Sequence, residues 1–191
     1  MFKRLIFLVL LVVVLACGQH ETPKPRGLFR IALPERSYRQ FDESFPYRFE
    51  HPEYSRIEPD MRVWAEDYWA DIVFDEFNAR IHLSYKPVNN SSELYGYFED
   101  AYTFVHRHIP KATGIREETF IHPEESVYAV LFRIRGREAA SAIQFYATDS
   151  LSHFLRGALY FNITPDNDSL APVIDFLEED IRHMIATLEW K

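Results

Sequence analysis

The sequence predicts an α+β domain: an antiparallel β-sheet of about five to seven strands with helices packed on it. Three observations carry this. Short runs that alternate apolar and polar residues recur along the chain, two longer segments carry an apolar stripe at helical spacing, and the order is strands, helix, strands, helix.

The elements follow in order from Leu28. "LFRIALP" alternates, "FPYRFEHP" is a short run bounded by prolines, and "YWADIVF" directs Ala70, Ile72 and Phe74 to one face. The clearest alternation is "ARIHLSYK". Ala79, Ile81, Leu83 and Tyr85 share one side, and Arg80, His82, Ser84 and Lys86 share the other, which is wet or covers a partner. Asn90, with Glu93 three residues on, caps a helix whose stripe is Leu94, Tyr97, Phe98, Ala101 and Val105; "KATGIR" ends it near Gly114. Three further strands are "SVYAVLFRIRG", "AASAIQFYATD" and "HFLRGALYFNI", the first two joined by a hairpin turn at Gly136. A long helix from about Leu170 closes the chain, capped by "DNDS". Its stripe is Leu170, Ile174, Leu177, Ile181, Met184, Ile185 and Leu188.

Ahead of this body stands a leader. "MFKR" is a positive n-region, and Leu5 to Leu15 is an unbroken apolar run about half as long as a membrane span, which marks a signal peptide over residues 1–16. The run ends in "LAC" followed by Gly18, the form of a bacterial lipobox, so Cys17 is expected to become the lipidated N-terminus. Two or three acyl chains anchor a protein stably where one does not. Residues 17–27, rich in Pro and Gly, read as a tether, and residues 28–191 as a single domain. Cys17 is the only cysteine, so once acylated it leaves the body without a disulfide, a thiolate nucleophile or a Cys-ligated metal. No acidic run follows it to signal surface export. The inner leaflet of the outer membrane and the periplasmic face of the inner membrane both remain open.

Composition narrows the function. The chain holds 29 acidic against 21 basic residues, and its longest basic stretch is "FRIRGR", so no nucleic-acid partner is expected. Six glycines and no Gly-rich loop argue against a nucleotide cradle, and no cofactor is expected. His106 and His108 are two apart on a helix and point apart, and no H-E-x-x-H occurs, so no metal site is expected. "TDSLSHF" gathers Asp149, Ser150, Ser152 and His153, the residue types of a hydrolytic triad. Neighbours on one turn seldom converge as a triad must, and an Asx turn between two strands explains them. Glu178, Glu179 and Asp180 read as a solvated helix face.

The anchor, "PKPRGLFRIALPE", "FPYRFEHPEY", "ARIHLSYKPV" and above all "FYATDSLSHFLRGALYFNITPDNDSLAPVIDFLEEDIRHMIATLEW" resemble the gliding motility lipoprotein GldD family of Bacteroidetes over nearly the whole mature body. The resemblance implies a periplasm-facing lipoprotein required for gliding, acting with other gliding and type IX secretion proteins of the envelope. It implies no reaction. The order of elements also looks like the Mog1/PsbP sandwich, usually a binding or assembly module. Asp149-Ser150-Leu151 and Asp168-Ser169-Leu170 fit the pattern such bacteria use for O-glycosylation, which makes Ser150 and Ser169 candidates for modification. The expected role is a non-catalytic scaffold whose partner surface includes Asp149, Ser150, His153 and Arg156. The alternatives are an envelope hydrolase using Ser150 or Ser152 with His153, and a binder of a small or lipid-like ligand between sheet and helix.

Overall fold

The computed structural model describes residues 31–191. The signal peptide, Cys17 and the tether lie outside the described residues. Seven antiparallel strands form the main sheet in the order β3 (Arg56–Pro59), β4 (Ala70–Phe74), β5 (Ala79–Pro87), β9 (His153–Phe161), β8 (Ser141–Thr148), β7 (Val127–Arg135) and β6 (Gly114–His122). A second sheet holds β1 (Tyr38–Phe41), β2 (Tyr47–Pro52) and β10 (Glu189–Trp190). The helices are α1 (Ser91–His106) and α2 (Asn167–Ala186). Among the described residues no helix is long and apolar enough to cross a membrane.

Side-chain alternation divides the core into two layers, one on each face of the main sheet. On one face Ile81, Leu131, Phe145 and Leu155 pack with Tyr47 and Phe49 of β2 and with Leu177 and Ile181 of α2. On the other, Phe132, Ile134, Tyr146 and Phe154 pack under Leu94, Ala101 and Val105 of α1. The α1 start is as the sequence predicts: Asn90 accepts the Glu93 N–H at 3.0 Å, and Glu93 accepts the Asn89 N–H at 3.0 Å.

Several expectations are corrected. Residues 31–37 form no strand; Ile31 and Leu33 are exposed, and Pro34 lacks the N–H a ladder needs. All of β4 is buried, including Asp71, because it is an interior strand covered on both faces. Helix α1 stops at His106; a 3₁₀ turn follows at Ile109–Lys111, and Gly114 opens β6 instead of closing the helix. Pro110 cannot continue a helix, and β6 was masked by "REE", the charged composition that protects an edge strand. Helix α2 begins at Asn167, earlier than expected. The Asn167 amide donates to the carbonyls of Gly136 and Ala139, at 2.8 and 3.0 Å, and ties the helix start to the β7–β8 turn. Gly136 itself has φ +148°, and a Cβ there would lie 2.2 Å from the Lys111 carbonyl oxygen.

Glu178 and Asp180 are not a solvated face. Both are buried. Glu178 falls four residues after Ile174 and three before Ile181, and Asp180 falls four after Phe176, so both share the packed surface of the helix. Arg116, Arg133 and Arg182 meet Glu178 at 3.0, 2.5 and 2.7 Å. Asp180 accepts hydroxyl bonds from Tyr38, at 2.9 Å, and from Tyr54, with Arg36 at 3.4 Å. Burial, and then the bond to Asp180, push the Tyr38 phenol up to about 12.

Candidate functional site

The turn "TDSLSH" joins β8 to β9. The Asp149 Oδ1 accepts the N–H groups of Leu151, Ser152 and His153, at 2.9, 2.8 and 2.9 Å. Thr148 closes the loop: its hydroxyl donates to the His153 carbonyl at 2.6 Å and accepts the Ser150 N–H at 2.9 Å. Ser150 sits at φ +67° and is exposed. The His153 ring stacks on Trp190 with centroids 5.1 Å apart, and its Nδ1 lies 2.8 Å from the Tyr85 hydroxyl. Burial, partly offset by Asp149, holds this imidazole below its ordinary range. The acid of the supposed triad is therefore spent on backbone amides, and the histidine is wedged between two aromatic residues.

The structure brings Asp149, Ser150 and His153 together and separates Arg156 from them. His153 shares a strand face with Leu155, in the α2 layer, whereas Phe154 and Arg156 face α1. Ser169, the other Asp-Ser-Leu serine, is exposed near the start of α2, with its hydroxyl 3.1 Å from Asp166.

Arg156 belongs to a different feature, a groove of about 380 Å³ between α1 and the main sheet. The floor is the polar face of β5, His82, Ser84 and Lys86, beside Phe154, Arg156 and Tyr160 of β9. The α1 wall gives Tyr97, Asp100 and Phe104, and the loop between β3 and β4 gives Arg62, Trp64 and Trp69. That loop is tied down. Trp69 donates its indole N–H to the Tyr85 carbonyl at 3.0 Å, and Tyr68, at the strained φ of +65°, accepts the Tyr47 hydroxyl at 2.8 Å.

The groove's charges fall into two kinds. Most are neutralised: His82 meets Asp71, Arg62 pairs with Asp60, and Lys86 pairs with Glu66, while Asp100, the one carboxylate of the lining, is exposed and forms no ion pair among the described residues. Arg156 is different. It donates to the neutral Gln144 Oε1 at 2.6 Å, and its guanidinium lies 4.4 Å from the Phe104 ring centre. Among the described residues no carboxylate forms an ion pair with it, and burial, partly offset by the Tyr160 hydroxyl, holds its pKa below the ordinary range. Gln144 is 1% exposed, and its Nε2 is buried without a hydrogen-bond partner.

Sequence reasoning offered a ligand site between sheet and helix only as an alternative and assigned no residues to it, although the alternation in "ARIHLSYK" marked the polar face that floors the groove. The His82–Asp71 pair lacks a nucleophile, since among the described residues no hydroxyl hydrogen-bonds to His82. Nor do the described residues hold a cluster of three His, Cys, Asp or Glu suited to a metal ion.

The solution structure of cyanobacterial PsbP (CyanoP) from Synechocystis sp. PCC 6803 is similar, with a TM-score of 0.49 and 8% identity, over 91% of this chain and 100% of that one. No curated protein matches the chain. The family model described as gliding motility lipoprotein GldD matches residues 18–190, nearly the whole chain, and the chain belongs to that family.

Proposed function

We propose that this protein is a non-catalytic assembly or scaffold lipoprotein, held to a membrane by lipid on Cys17, facing the periplasm and working with gliding and type IX secretion proteins. Family membership supports the link to gliding. The lipobox-like "LACG" and the short apolar run before it support the anchor. The observation that carries the non-catalytic reading is the commitment of Asp149 Oδ1 to three backbone N–H groups, which leaves the serines beside it without an acid-oriented base. What remains there is a rigid, partly exposed tip suited to contact, with Ser150, and Ser169 elsewhere, open to glycosylation.

Three experiments test this reading. Replacing Ser150 and Ser152 by Ala and His153 by Asn in the native host should leave gliding and secretion intact; loss of both with the protein still folded and abundant would restore the hydrolase. Crosslinking in native envelope should capture gliding or secretion proteins. For the anchor, Cys17→Ala should abolish labelling by radioactive palmitate and release the body from membranes, and persistent labelling would refute it.

A further inference from the structure

We infer that the groove between α1 and the main sheet binds a small amphiphilic acid, whose carboxylate or phosphate pairs with Arg156 and whose apolar body lies against Phe104, Phe154 and Trp69. This goes beyond the scaffold reading and does not depend on it.

The first argument is an imbalance of charge. Arg62, Arg80, Arg116, Arg133 and Arg182 each have a carboxylate partner, in a chain with 29 acidic residues available. Arg156, half-buried, has among the described residues no carboxylate but only neutral partners, the Gln144 oxygen and the Tyr160 hydroxyl. An unneutralised guanidinium in such a place is costly unless an anion joins it. Its planar fork suits the paired oxygens of a carboxylate or phosphate.

The second argument is the unpartnered amide. Turning Gln144 over would set its N–H₂ group against the guanidinium, so the Oε1–Arg156 bond fixes the amide and leaves Nε2 buried without an acceptor. A deficit of this kind is destabilising and is rare without a role. Here it adjoins the arginine that lacks a counter-ion. One acidic group at Arg156 neutralises the cation that Gln144 is held in place to meet.

The third is size and surface. About 380 Å³ lies within the range of small-molecule sites and holds a benzene ring or a short acyl chain with one acid group. Rings of Tyr97, Phe104 and Phe154 give it an aromatic wall, and Trp64, 70% exposed, stands at its rim.

The test uses the full-length lipoprotein in phosphatidylcholine vesicles, with tryptophan fluorescence as the readout, from Trp64 and Trp69 at the groove against the background of Trp190, which does not line it. Phenyl phosphate and 3-phenylpropanoate are the probes, which separates a phosphate from a carboxylate preference; 2-phenylethanol and 2-phenylethylamine are the controls. A saturable response to either acid and to neither control is expected. Arg156→Gln should weaken it about tenfold or more, Arg156→Lys less, and 0.5 M salt should weaken it too. Phe104 is partly exposed, so Phe104→Ala keeps the fold and should weaken binding roughly threefold to tenfold. That variant and Arg156→Lys decide the matter if Arg156→Gln does not fold. The proposal fails if alcohol and acid respond alike, or if folded Arg156 and Phe104 variants respond like the wild type. It also fails if only anionic vesicles or acidic peptides elicit a response.

Discussion

The ring of Phe145 fills the space that a side chain on Gly157 would need: a Cβ on Gly157 would lie 2.1 Å from the ring's Cε1 and Cζ. The two residues face each other across β8 and β9. This fit pins the register of the central strands, and in that register Arg156 stands opposite Tyr146 on the groove side.

Gly157→Ala should therefore destabilise the protein by about 2–3 kcal/mol, because Phe145 is fully buried and has no room to retreat. Urea unfolding checks this. A loss below about 0.5 kcal/mol would mean that the ring moves freely.

Glu178→Gln removes the one charge that gathers Arg116, Arg133 and Arg182. About 2–3 kcal/mol of stability should go, since Arg116 is left without a carboxylate and Arg133 and Arg182 keep only more exposed ones, Asp175 for the first and Glu118 and Glu179 for the second. Glu179→Gln, one position on and exposed, should cost less than about 0.5 kcal/mol. Equal effects in the two variants, compared by thermal unfolding, would contradict this account.

His51 supplies a pH dependence. It is 4% exposed, and burial, with the nearby Arg39 charge, lowers its pKa to about 4. The Ser55 hydroxyl donates to the Pro52 carbonyl at 2.7 Å, so at His51 it accepts from a protonated Nδ1, 2.8 Å away. Because the folded pKa is depressed, the unfolded chain takes up the proton first. Stability is complete above the ordinary histidine pKa and falls as pH drops from about 6.5 to 4, by roughly 2–3 kcal/mol from this group. Urea midpoints across that window should fall more steeply for wild type than for His51→Gln. Parallel curves would remove His51 as the source.

Asp149→Ala should cost about 2 kcal/mol by stripping three backbone N–H groups of their acceptor, whereas Ser150→Gly, at a positive φ, should be neutral or slightly stabilising. Amide exchange at Leu151, Ser152 and His153 should quicken in the first variant and stay slow in the second. Unchanged protection in Asp149→Ala would show that the strands alone hold the turn.

Legibility in the sequence followed the range of the interaction. "ARIHLSYK" announced β5 and both its faces, because a strand's two-residue period is written in adjacent residues. Asn90 and Glu93 announced the start of α1 because a cap is completed within one turn. The Asp149 turn was legible for the same reason. Edge strand β6 was not, because its charges serve to keep another chain from pairing and break the apolar signal. The groove was only half visible: the polar face of β5 showed, but nothing in the sequence said that α1 and the loop after β3 would cover it.

By itself, then, the sequence determined the elements with local periodicity, the lipoprotein-like leader and a body free of cysteine. Tertiary structure decided which polar groups are buried and what each one meets. Tyr38 reaches Asp180 across 142 residues, and Arg156 reaches Phe104 from another element. The physical reason is that a helical or strand period says which residues share a face, while the partner of that face depends on the order in which the strands pair. Glu178 and Arg156 show the difference: in sequence each is an ordinary charge, and only the packed sheet gives one three counter-ions and the other none.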